Sequence, residues 1–129
     1  ILITSGATEA MYLAISATAA PGRQFIVTDP SFLLYAPLIR MNGGEVKFVP
    51  THAENDHQLD PDEVIRAMGP RTFALILNNP NNPTGAVYPR STVEMFHGSG
   101  QHHVHQQFFE NLQHGGVTYR LGYFQPGGD

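Results

Sequence analysis

The 129-residue sequence contains no cysteine. That excludes a disulfide framework, a thiolate zinc site and a cysteine nucleophile, and it agrees with a cytoplasmic location. Tryptophan is also missing, and lysine occurs once, as Lys47. Charged residues make up only 14%, with 11 acids against 7 bases and a net charge of -4. A chain with that balance lacks the basic face of a nucleic-acid binder. No apolar run approaches roughly 18 residues, so no membrane-spanning helix is expected. A leader peptide is not expected either, because no basic stretch precedes an apolar core. The chain opens on Ile1 in an apolar run and reads as if it begins inside a domain. Hydrophobic residues amount to 41%, enough for the core of one ordinary domain.

Two unlike parts are visible. Residues 1 to about 93 alternate between strand-like and helix-like segments; residues 94–129 hold five of the seven histidines, seven of the thirteen glycines and few charges. In the first part, Ile1 to Thr4 is a short β-type run, broken by Ser5-Gly6. Ala7 to Ala19 has helical spacing, with Met11, Leu13, Ala14 and Ile15 on its apolar face and Glu9 placed to favour its N-terminus. Pro21-Gly22 ends it. Gln24 to Thr28 is a second strand. After Asp29-Pro30-Ser31, the spacing of Phe32, Tyr35, Leu38 and Ile39 predicts a helix, in which Pro37 fits only near the first turn. Asn42-Gly43-Gly44 stops it. Glu45 to Val49 is a third strand, with Val46, Phe48 and Pro50 facing one way. Asp60-Pro61-Asp62-Glu63 combines an Asp cap, Pro at the first helical position and Glu three after the cap. Thr72 to Leu77 is almost continuously apolar, as in a strand buried on both faces. Strands alternating with helices predict an α/β domain of three layers with a mostly parallel sheet.

Two segments carry candidate chemistry. Ser5-Gly6-Ala7-Thr8-Glu9 takes the chain from an apolar run through a small-residue turn into a helix. Free N–H groups at such a start bind phosphate, although an ordinary capped helix has the same appearance. Asn78 to Gly85, reading NNPNNPTG, follows the buried strand, at the end where open α/β sheets bind ligands. Asparagine side chains both donate and accept hydrogen bonds, which suits a phenolic oxygen or a carboxylate; a polar turn is the plain alternative.

With the segments between them, these stretches resemble the class I/II aminotransferases, pyridoxal-phosphate enzymes of fold type I. The resemblance rests on Thr4 to Ala10, Pro21-Gly22, Asp29 to Tyr35, Gly43-Gly44 and Asn78 to Gly85, in that order, and covers residues 1 to about 93. It is nearest to the branch of aspartate- and aromatic-aminotransferase-like enzymes. It implies that residues 1–93 are part of the large, cofactor-binding domain, that pyridoxal 5'-phosphate is the cofactor, and that the parent reaction moves an amino group from an amino acid to a 2-oxo acid. By the same resemblance, Gly6, Ala7 and Thr8 match the cradle for the cofactor phosphate. Phe32 matches the aromatic that stacks on the pyridine ring, and Asn82 matches the donor to its phenolic oxygen. Pro83 supports the loop, through a cis bond as in the family. Parent enzymes are homodimers with shared sites.

The resemblance also shows what these residues lack. The Schiff-base lysine, the acidic partner of the pyridine nitrogen and the late substrate-binding arginine all follow the NPTG segment in the family, and none is found here. Lys47 lies on the third strand and reads as a solvated surface lysine; Arg120 has no family context. The expectation is a chain that is inactive alone. A non-catalytic remnant that binds a phosphorylated ligand at Gly6 to Thr8 is one alternative. From Met95 onward the sequence departs from the family pattern. The tail reads as a shifted frame, a mis-spliced gene end or a fusion, without a stable core of its own. His102, His103, His105 and His114 offer a second alternative, a histidine-rich metal-binding module, although their spacing matches no closed site.

Overall fold

The computed structural model describes residues 3–98, 102–109 and 118–126, with side chains described through residue 96. Its elements are α1 (Ala7–Thr18), β1 (Gln24–Asp29), α2 (Tyr35–Met41), β2 (Glu45–Pro50), a short 3-10 turn (Ala53–Asn55), α3 (Pro61–Ala67), β3 (Thr72–Asn79), α4 (Arg90–Gly98), β4 (His102–Phe109) and β5 (Thr118–Pro126). The strand order is β2-β1-β3-β5-β4. β1 pairs in parallel with both β2 and β3, while β5 runs antiparallel to β3 and to β4.

Burial explains the two central strands. Phe25 to Thr28 and Ala74 to Asn78 are buried without interruption, as expected where helices cover both faces. Alternate residues then feed two separate cores. On one face Phe25, Val27, Ala74 and Ile76 pack with Ile15 of α1 and Tyr35 and Ile39 of α2. On the other, Ile26, Leu75 and Leu77 pack with Val64 of α3 and with Val93 and Phe96 of α4. The three-layer α/β arrangement expected from the sequence is therefore present, with β3 inside the sheet.

Crossover geometry accounts for this division. The step from β1 to β2 moves one way across the sheet, and the step from β2 to β3 moves back past β1. Two crossovers of the same hand then place their helices, α2 and α3, on opposite faces, which is where the two cores put them.

Local signals work as the sequence predicts. Asp60 caps α3, its carboxylate accepting from the Asp62 N–H at 2.8 Å. Pro37 falls within the first turn of α2, where its missing N–H costs no intrahelical bond. Gly44 is needed for space: a Cβ there would lie 2.8 Å from the Ile39 Cγ2. Three readings change. Ile3 and Thr4 are outside any strand and Ile3 is exposed, while Ile1 and Leu2 lie outside the described residues. Phe48, on the sheet-edge strand β2, is exposed, and the Arg40 guanidinium stands 6.0 Å from its ring centroid. Phe32 precedes α2 instead of lying within it. The tail, to which the sequence assigned no strand, supplies β4 and β5.

Ile26 and Lys47 are neighbours in the β1–β2 register, yet one is fully buried and the other exposed. Ile26→Ala should lower unfolding free energy by about 2–5 kcal/mol. Lys47→Ala should change it by no more than about 0.5 kcal/mol. Urea midpoints of the two variants check this; equal shifts would contradict the burial pattern.

Candidate active site

The carboxyl ends of β1 and β3 lie side by side, because the strands are parallel neighbours. The chain leaves β1 for α2 on one face and leaves β3 for α4 on the other. Such a divergence opens a crevice at the strand ends, the usual ligand position in open α/β sheets. Asp29-Pro30-Ser31 and Asn79 to Gly85 form its two rims.

The asparagine-rich rim is built mainly from its own side chains, since Pro80 and Pro83 have no N–H to give. Asn79 pairs with the backbone of Tyr88 in both directions: its carbonyl accepts from the Tyr88 N–H at 2.9 Å and its amide donates to the Tyr88 carbonyl at 3.2 Å. Asn78 is buried, and in the orientation that satisfies its amide it accepts from the Asn82 N–H at 2.9 Å and donates to the Pro80 carbonyl at 3.2 Å. Asn81 is buried too, donating to Thr84 Oγ1 at 2.9 Å and to the Pro30 carbonyl at 3.1 Å. Backbone bonds from Asn81 N–H to Ala86 and from Gly85 N–H to Asn81, at 2.8 and 2.7 Å, close the loop. The Asn79-Pro80 and Asn82-Pro83 peptides are cis, as is Asp29-Pro30.

Three of the four asparagines are thus consumed in shaping the rim. Asn82 is different: it is exposed, and its side-chain amide has no hydrogen-bond partner among the described residues. It is held by its backbone and left with a donor and an acceptor to offer.

Across the crevice, the stretch after Pro30 carries Phe32. The Phe32 ring is half-buried against the α1/α2 core and meets Tyr35 edge-on, with centroids 5.6 Å apart at 73°. The Asn81–Pro30 bond joins these two rims, bringing Phe32 and Asn82 to the same end of the sheet.

Gly6, Ala7 and Thr8 reach that end by a different route. The C-terminal end of α1 sits at the opposite end of the sheet, where Ala19 Cβ would be 3.3 Å from a Cβ on Gly44, just before β2. Packed through Ile15, a helix of 12 residues spans about 18 Å, close to the roughly 20 Å of a six-residue strand. Its N-terminus therefore lies level with the carboxyl end of β1. Gly6, with φ 105°, is the N-cap and supplies no side-chain cap. The first-turn N–H groups of Ala7 and Thr8 have no intrahelical acceptor. No hydrogen bond among the described residues links Gly6, Ala7 or Thr8 to Phe32 or Asn82; they share an end of the sheet rather than a contact.

Behind the rims is a buried polar layer that sequence reasoning missed. Thr51 accompanies the end of β1, its N–H and hydroxyl donating to the Asp29 carbonyl at 2.7 and 3.1 Å, with His57 Nδ1 3.1 Å from the same hydroxyl. Burial pushes the Tyr88 phenol above its ordinary value of 10.0, the Thr28 hydroxyl working in the other direction. Thr28, Thr51 and Tyr88 are tens of positions apart in sequence, and no periodicity marks them. The histidines of the tail fall outside the residues whose side chains are described, and His114 lies outside the described residues altogether.

This fold and rim define a doubly wound α/β domain with a glycine-capped helix start and an exposed amide at the carboxyl end of its sheet. The chain belongs to the aminotransferase class I and II family, whose model matches residues 1–105, beyond the boundary near residue 93 expected from the motifs. It is 36% identical over 129 residues to the aspartate/prephenate aminotransferase of Thermus thermophilus, an alignment covering 97% of this chain and 34% of that protein. It is 35% identical over 113 residues to kynurenine–oxoglutarate transaminase 1 of Mus musculus, covering 80% and 27%. The solved Thermus thermophilus aspartate aminotransferase with maleate superposes with a TM-score of 0.69 at 43% identity, covering 70% of this chain and 24% of that one. The chain therefore spans about a third of the length of the first of these relatives. Among the described residues, no helix is long and apolar enough to cross a membrane.

The Tyr88 shift has a consequence for alkaline stability. A phenol that ionises less readily when folded stabilises the native state below pH 10, the ordinary value. That contribution is lost as the pH rises through the raised folded value. Tyr88→Phe should flatten the fall in stability above pH 10, as read from urea midpoints measured over that range. An unchanged slope would refute the assignment.

Proposed function

We propose that this chain is the cofactor-binding part of a pyridoxal-phosphate-dependent aminotransferase, and that these 129 residues bind the cofactor without performing transamination. The observation that carries the reading is the isolation of Asn82. Of the four asparagines on the rim, it alone presents an exposed amide without an intramolecular partner among the described residues.

The donor set fits the group. Uncapped N–H groups at Ala7 and Thr8, beside a glycine N-cap, favour a phosphate dianion through hydrogen bonds and the helix dipole. The Thr8 hydroxyl adds a further donor. Phe32 offers an aromatic surface for a flat, electron-poor ring. Asn82 offers an N–H to a phenolic oxygen. When bound, pyridoxal phosphate supplies an electron sink for bonds at the α-carbon of an amino acid, and the substrates of the parent reaction are an amino acid and a 2-oxo acid. The intact parent enzyme works as a homodimer in the cytoplasm.

Catalysis needs more than binding. A primary amine must hold the cofactor, and a base must move the substrate's α-proton. The only lysine of this chain is Lys47. It lies halfway along the edge strand β2, opposite Ile26. Alternation places it on the face of Val49 and the α3/α4 core, whereas Phe32 packs with α1 and α2 on the other face. The sheet itself separates the amine from the ring platform.

Purified chain mixed with pyridoxal phosphate, an amino acid and 2-oxoglutarate should form new amino acid no faster than free cofactor does. It should still bind pyridoxal phosphate reversibly, and Asn82→Ala should weaken that binding by about tenfold, the loss of one charge-assisted hydrogen bond. Turnover well above the free cofactor, abolished by Asn82→Ala, would show that the chain is an enzyme by itself. Binding unaffected by Asn82→Ala would remove the basis of the reading.

A further inference from the structure

The buried Asn81 does more than complete its own loop. Its amide nitrogen has two hydrogens and two acceptors: Thr84 Oγ1 at 2.9 Å, within the loop, and the Pro30 carbonyl at 3.1 Å, on the opposite rim 51 residues away. The second is the only side-chain hydrogen bond among the described residues that crosses from the β3 rim to the β1 rim. Its acceptor lies two residues before Phe32, and its donor lies one residue before Asn82. The Phe32 carbonyl in turn accepts the Tyr35 N–H at 3.2 Å, tying that rim to the first turn of α2.

Asn81 Oδ1 is buried and has no partner among the described residues. An unpaired buried acceptor is unfavourable, so a side chain chosen only for loop stability would place a better-satisfied group here. Thr84 Oγ1 already accepts the Ala86 N–H at 3.2 Å, and backbone bonds close the loop without the Asn81 side chain. What the amide adds is the link to Pro30.

We propose that Asn81 is a positioning residue: its buried amide staples the Asn82 rim to the Phe32 rim and sets the separation of the two groups that hold the cofactor ring. The proposal rests on the cofactor-binding reading given above. Proline suits the far end of the staple, because its ring restricts the backbone bearing the acceptor. An inserted ring needs both contacts at once, so rims free to move would lose order on binding what the staple supplies beforehand.

The test uses the full chain and two variants. Asn81→Ala removes both donors, and Thr84→Val removes only the acceptor inside the loop. The first readout needs no cofactor. Amide hydrogen exchange should accelerate at Tyr35 and at Gly85 in Asn81→Ala, but at Gly85 alone in Thr84→Val. The second readout is a double-mutant cycle on pyridoxal phosphate dissociation constants. In the parent chain, Phe32→Leu and Asn82→Ala should be coupled, their joint effect differing from the product of the single effects by about threefold or more. In an Asn81→Ala background the coupling should vanish. Asn81→Ala with unchanged exchange at Tyr35, or with coupling intact, would overturn the staple. If Asn81→Ala fails to fold, Asn81→Asp, which keeps the shape and removes the donors, must accelerate exchange at Tyr35 or the proposal falls. A chain that binds no pyridoxal phosphate would instead sink the functional reading, leaving the exchange at Tyr35 to decide the staple.

Discussion

Parallel pairing of β1 with β3, after the chain has gone out to β2 and returned, is the constraint on which the rest depends. Both strands are buried on two sides, so neither can shift by one residue without exchanging its two sets of side chains between cores. The register Phe25–Ala74, Ile26–Leu75 and Val27–Ile76 keeps each apolar set on its own face. With that register set, the ends of β1 and β3 are level, and the helices that follow must separate to opposite faces. The crevice is a consequence of connectivity, with Pro30 and the asparagine loop on its rims.

The rim itself solves a backbone problem. A loop with two prolines near a buried strand end has too few N–H groups to satisfy nearby carbonyls. Asn78, Asn79 and Asn81 make up the deficit with side-chain amides, each bonded to backbone or to Thr84. This explains why the loop is so rich in one residue type: most of the asparagines are scaffolding, and their number is what allows Asn82 to remain exposed without a partner among the described residues. The same division of labour holds at α1, where glycine as N-cap leaves the first N–H groups without a side-chain partner. In both places a polar group is left free of a local contact.

Lys47 shows how a sheet separates chemistry. It lies on the edge strand β2, and alternation puts it on the other face from Phe32. A layer of backbone thus separates its amine from the Phe32 ring. The reactive amine of such a site has to come from a different element, and the relatives this chain resembles are about three times its length.

Much of the frame was legible from local pattern. The continuous apolar run at Thr72 to Leu77 marked the central strand, Asp60-Pro61 marked the start of α3, and Gly6 followed by Ala7 marked the start of α1, because burial on two faces, capping and glycine conformations are properties of a few adjacent residues. Resemblance of NNPNNPTG to a known family singled out Asn82. Other features came only with the fold. The exposure of Phe48 followed from the edge position of β2, Phe32 looked helical until the helix began at Tyr35, and β4 and β5 were not foreseen. The link from Asn81 to Pro30 spans 51 residues, and the layer of Thr28, Thr51 and Tyr88 brings together side chains with no common period. Sequence alone determined which segments could be strands and helices and where they stop, since those choices are settled by neighbours along the chain. Which strand ends meet, which amide is used up and which is left to bind were decided by tertiary structure, because only the crossing of distant segments brings each donor within reach of its acceptor.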